Sequence, residues 1–199
     1  PELIEIRRGE SGIRAWAAEP GEYYHSFDGA YGGLWRRNGR PPQLLAGVGF
    51  SAQGKFEGSY YRRTAESHAP DLAWMFEGIE DQEILGDFGF SGGGAAGFEL
   101  DRADVRLGTP EEVRVVASSE NHTSSFVLVP EEMLTHITNW PGEEEQQKLI
   151  RSDIVYFQTP SGGEVFSTGS ITFCGSLPWN DFDNNISRLL ENVIRRFLQ

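Results

Sequence analysis

The sequence predicts a strand-rich α/β fold closed by one C-terminal amphipathic helix, and three observations predict it. Ile186, Leu189, Leu190, Val193, Ile194, Phe197 and Leu198 recur at the helical period, so they share one face that has to be buried. Asp153 to Thr159 and Glu164 to Phe173 are β-rich runs flanking Pro160-Ser161-Gly162-Gly163, which is the pattern of a hairpin. Over 199 residues, 38% are apolar and 12% aromatic, enough to build a core and too much for a disordered chain.

The elements follow in order. Leu3 to Ile6 and Ile13 to Ala17 read as strands around a polar turn. The pattern is already running at Pro1, so Pro1 is not expected to be a natural domain start. Residues 19 to 42 hold Gly, Tyr, Trp and Arg without a period, as a functional or surface-covering segment does. Gln43 to Phe50 reads as a short buried strand, and residues 51 to 63 as a glycine-broken loop. From Pro70, the spacing of Leu72, Met75, Phe76 and Ile79 predicts a helix that Gly78 ends. Phe98 to Val105, Glu112 to Ser118 and Ser125 to Val129 read as strands, and residues 141 to 152 as an acidic surface helix or loop. Asp181 or Asp183 is placed to cap the last helix, whose end carries Arg195 and Arg196.

Composition excludes several function classes. The formal net charge is −13, and residues beyond 70 carry 8 Lys and Arg against 22 Asp and Glu. Such a surface repels phosphate backbones, so no nucleic-acid partner is expected. No stretch reaches the roughly 18 apolar residues of a membrane span. The single cysteine, Cys174, rules out an internal disulfide and a Cys-rich zinc site, and suits a cytoplasmic protein.

Gly89-Phe90-Ser91-Gly92-Gly93 fits the G-x-S-x-G elbow of a serine hydrolase, with Asp104 and His122 following in triad order. The elbow needs a helix after the serine, and the glycines and alanines that follow start one poorly. The same glycines fit G-x-G-x-x-G but again lack the helix of a dinucleotide site. A glycine cluster of this kind marks a close backbone approach or positive φ. Glu99 and Asp101 stand two apart on one strand and share a face, as a pair of catalytic or metal-binding carboxylates or simply as an exposed rim. Glu120, Asn121 and His122 follow a strand at a loop, where His122 is placed either to serve as base, donor or ligand or to complete a turn. Cys174 has no identifiable base beside it and reads as a small apolar residue.

Longer motifs resemble the large (β) subunit of N,N-dimethylformamidase and its relatives. They are the segment Trp16 to Trp35, with Glu19-Pro20-Gly21-Glu22-Tyr23-Tyr24-His25-Ser26; Gly92 to Asp104 (GGGAAGFELDRAD); Ala117 to His122 (ASSENH); and Val155 to Phe197. The resemblance implies a C-terminal domain of glutamine amidotransferase-like, flavodoxin-like α/β sandwich type. Residues 1–199 would be part of it, its early strands lying upstream or coming from another chain. It implies hydrolysis of a small N-substituted formamide to formate and amine by an iron-activated water. The iron would be held by tyrosine and glutamate ligands lying outside this chain, so none is assigned here. A small subunit and a homo-oligomer are the implied partners. Glu99 is then expected as proton shuttle, with His122 and Glu120 lining the pocket. The rival readings are a non-catalytic scaffold or subunit-assembly module, and a serine hydrolase using Ser91.

Overall fold

The computed structural model describes Gly29 and residues 35–129 and 142–199, in two units, Pro1–Pro41 and Pro42–Gln199. The two strands expected before residue 18 lie outside the described residues. Within the first unit, Trp35–Asn38 is a 3-10 turn, and the Arg40 guanidinium lies over the Trp35 ring at 5.9 Å.

The second unit is built on a curled antiparallel sheet of β1 (Gly49–Arg63), β2 (Ala96–Arg102), β3 (Arg114–Glu120), β4 (Val127–Leu128), β5 (Asp153–Gln158) and β6 (Glu164–Ser167). The strand order is β2-β1-β3-β5-β6, with β4 pairing β1. β1 serves two neighbourhoods: its first part pairs β2 and β4, and Tyr60 to Arg63 pair β3. Every ladder among the described residues is antiparallel. The strand-rich sheet and C-terminal helix are as expected, but antiparallel ladders do not confirm the flavodoxin-like sandwich the resemblance implied, whose sheet is parallel.

The expected loop at 51 to 63 is instead the longest strand. Its glycines read as breakers but are there for space. A Cβ at Gly54 would stand 2.7 Å from the Phe126 ring, and one at Gly58 would strike the Gly94 carbonyl. The expected strand at Gln43 is helix α1 (Pro42–Ala46), favoured by Pro at its first position and good helix formers after it; Gly47, at φ 76°, ends it. The helix from Pro70 is a 3-10 helix, Pro70–Phe76, yet it buries the expected Leu72, Met75 and Phe76. The acidic segment holds helix α2 (Glu143–Leu149). The second hairpin strand stops at Ser167, before Gly169 at φ 68°, and exposed Cys174 sits in the short helix α3 (Phe173–Ser176).

Helix α4 (Asn185–Phe197) lays Ile186, Leu189 and Val193 on the main core, with Tyr61, Leu72, Met75, Val116, Ile154 and Phe173. Each such burial stabilises by about 1.5–3 kcal/mol. Its last turn leaves Ile194, Phe197 and Leu198 exposed. Asn184, not either expected aspartate, caps it by accepting the Ser187 N–H at 2.9 Å. A second core joins Ala52, Leu100, Phe126, Leu128 and Leu149.

Candidate functional site

The β1–β2 ladder shifts register once between Phe50 and Ala52, then pairs Ala52 with Leu100 and Gln53 with Glu99. The next pair is Gly58 with Gly97, so residues 54–57 bulge opposite Phe98 alone. Phe98 takes φ 59°, a left-handed conformation that costs a bulky residue about 1–2 kcal/mol. The bulge is fixed on both sides. The Phe56 ring meets the Phe98 ring edge-on at 5.5 Å. The Glu57 carboxylate accepts hydrogen bonds from the Ser125 and Thr123 hydroxyls, which hold its pKa below the usual range.

Residues opposite each other in register point to one face. Gln53 faces Glu99 on one side and Val127 on the other, so the three form a row. Ala52, Leu100 and Leu128 form the next row, on the buried face. Gln53 and Glu99 are half-buried, and among the described residues neither side chain has a hydrogen bond or ion pair.

The loop after β3 carries the other expected residues. Glu120 is exposed and ion-paired with Arg62. Asn121, at φ 63°, turns the chain. His122 Nε2 lies 2.6 Å from Ser119 Oγ, which also accepts the Ser152 N–H at 2.7 Å. The imidazole meets the Phe126 ring at 4.7 Å, and its Nδ1 is buried without a partner among the described residues. Burial pushes the His122 pKa down to about 4, against the pull of Glu57. At neutral pH it is therefore an uncharged hydrogen-bonding group and a weak base.

Ser119, Glu120, Asn121, His122 and Phe126 line a cleft of about 580 Å³, whose far wall is Gln147, Lys148, Ile150 and Arg151. The structure thus brings Glu120 and His122 together. Glu99 is not among the lining residues, because its row points away from the Leu100–Phe126 cluster.

The serine-hydrolase geometry is not formed. Strand β2, not a helix, follows Ser91. Asp104 is engaged by Arg102 and Arg106, and His122 by Ser119. The Ser91 side chain instead packs on the backbone of Gly175, where a Cβ would fall on it. The described residues also do not fit an iron site. No group of three or more His, Cys, Asp or Glu among them is placed to hold a metal. The Tyr61 hydroxyl is spent on the Thr168 carbonyl and Ser152, and that of Tyr156 on Glu164.

Sequence reasoning missed Gln53 and Ser119. Gln53 lay in a stretch read as loop. Ser119 lies three residues before His122, a spacing that carries no signal until the turn at Asn121 folds it back.

The N,N-dimethylformamidase beta subunit-like, C-terminal family model matches residues 1–185. The chain is 40% identical over its full length to the N,N-dimethylformamidase beta subunits of Alcaligenes sp and Paracoccus aminophilus. It spans 26% of the length of each. A match over most of the chain, at that identity, establishes that it belongs to the N,N-dimethylformamidase beta subunit-like, C-terminal family.

Proposed function

We propose that this chain is part of a hydrolase that converts small N-substituted formamides to formate and amine, and that Glu99 is its proton shuttle. What carries the reading is half-buried Glu99, whose carboxylate has no hydrogen bond or ion pair among the described residues and stands beside a strained residue, in a chain that is similar over its whole length to N,N-dimethylformamidase beta subunits. Strain of this kind collects at functional sites.

Hydrolysis of the amide needs two proton movements. The attacking water loses a proton as its oxygen bonds to the formyl carbon. The nitrogen gains one as the C–N bond breaks. A single carboxylate that first accepts and then donates serves both. The iron that the resemblance implies would be held by residues outside those described. The companion small subunit and homo-oligomer belong to the same proposal.

The test is Glu99→Gln in the intact enzyme, followed by formate release from N,N-dimethylformamide. Turnover is expected to fall about 10²–10⁴-fold with assembly unchanged. A second reading, a non-catalytic assembly module, is favoured by the exposed Phe90, Trp179 and Phe182, next to left-handed Asn180 and Asp181. Unchanged turnover in Glu99→Gln, with loss of assembly in Trp179→Ala, would select it.

A further inference from the structure

The geometry points to Gln53 as a substrate-binding residue: we propose that its carboxamide N–H₂ donates to the carbonyl oxygen of a neutral amide while Glu99 moves the proton. This rests on the reading of Glu99 given above and adds the group that holds the substrate.

Gln53 and Glu99 are direct partners in the antiparallel ladder, so their side chains rise side by side from one face. They also stand between two irregularities of the ladder, a one-residue shift after Phe50 and the wider break after Gln53. On one strand the bulge of residues 54–57 follows, and on the other Phe98 is left-handed. Bulges of this kind re-aim side chains and occur beside active sites. Here the bulge is expensive and over-determined. The close approach of Gly97 and Gly58 admits no Cβ, and Glu57 is tied to Thr123 and Ser125. A rigid frame thus presents a carboxamide and a carboxylate, both half-buried and both without partners among the described residues.

The chemistry of the pair selects the ligand. The carboxamide supplies two donors and one acceptor, and the carboxylate only accepts. A carbonyl oxygen is the acceptor that the N–H₂ can hold, and an attacking water or an amide nitrogen is the group that the carboxylate can serve. The third member of the row is Val127, 62% exposed, which adds an apolar wall suited to N-alkyl groups and no charge. An anionic ligand is disfavoured by Glu99 itself. The other charged residues on these strands near the pair are Asp101 and Arg102 on β2 and Lys55 and Glu57 in the bulge; β4 contributes none.

The experiment uses the intact enzyme with N,N-dimethylformamide, comparing Gln53→Leu, Gln53→Glu and Glu99→Gln by formate release, with native mass and circular dichroism to follow assembly and fold. Gln53→Leu keeps the size and removes the donor. Its kcat is expected to fall about 10²–10³-fold, the range for loss of one donor to a developing oxyanion. Gln53→Glu sets a second carboxylate opposite Glu99. It is expected to move the acid limb of the kcat/KM profile upward by about one pH unit, which a packing role would not do. If Glu99→Gln is inactive while Gln53→Leu keeps full kcat and Gln53→Glu leaves the acid limb in place, the role of Gln53 is overturned and that of Glu99 stands. If Glu99→Gln is fully active, both fall. Should leucine disturb assembly, Gln53→Glu decides by itself, an unmoved acid limb overturning the proposal.

Discussion

Arg102 donates to Asp104 across 2.9 Å from a position with no solvent exposure. Its other terminal nitrogen donates to the Leu149 carbonyl at 2.6 Å, so one guanidinium ties β2 to the end of α2. Burial raises the Asp104 pKa, but hydrogen bonds from Arg106 and Arg102 outweigh it and bring it to about 2. Asp104→Ala removes the carboxylate hydrogen-bonded to this buried cation, leaving it the more distant Asp153, and is expected to cost about 3–5 kcal/mol, measured by urea denaturation. In the parent protein the stability due to this carboxylate is present at neutral pH. It is lost as pH falls from the unfolded value of 3.8 toward 2.

His122 gives an acid sensitivity in a different window. Its folded pKa of about 4 lies below the unfolded 6.5, so unfolding takes up a proton between them. Stability is expected to fall as pH drops through that interval, by on the order of 2–3 kcal/mol. His122→Asn should flatten the curve of denaturation midpoint against pH between those values. A parent-like slope in the variant would remove His122 as its source.

Gly97 is a requirement of space rather than of backbone freedom. A Cβ there would fall on the Glu57 carbonyl oxygen and the Gly58 backbone, neither of which is a movable side-chain end. Gly97→Ala is expected to cost about 1–3 kcal/mol in chemical denaturation, the usual range for overpacking. A variant as stable as the parent would mean that the bulge relaxes freely and does not frame the Gln53–Glu99 pair.

Helical periodicity made α4 legible, and two β-rich runs around the turn at Pro160 to Gly163 did the same for the β5–β6 hairpin. Ile186, Leu189 and Val193 repeat at helical spacing, and Ile154 to Phe157 form an unbroken buried run. β1 was illegible for a physical reason: Gly54 and Gly58 are strand residues because Phe126 and Gly94 press against them, and those partners are distant in sequence. The same applies to the candidate site. Glu120 and His122 announced themselves as polar residues after a strand. Gln53 acquires meaning only through its register with Glu99. Asn184 caps the last helix where Asp181 or Asp183 is expected because its side-chain amide also donates to the Leu177 and Trp179 carbonyls, contacts that only the fold supplies.

β1 and β2 each contribute to both cores: Tyr61 and Ala96 to the main one, Ala52 and Leu100 to the second. Neither core can therefore lose order without withdrawing a strand from the other. The two halves of the sheet are expected to open as one cooperative unit rather than as separate foldons. The backbone amides of Ala52 and Tyr61, far apart on the same strand, are expected to exchange their hydrogens with solvent through one shared opening, with equal protection in native-state exchange.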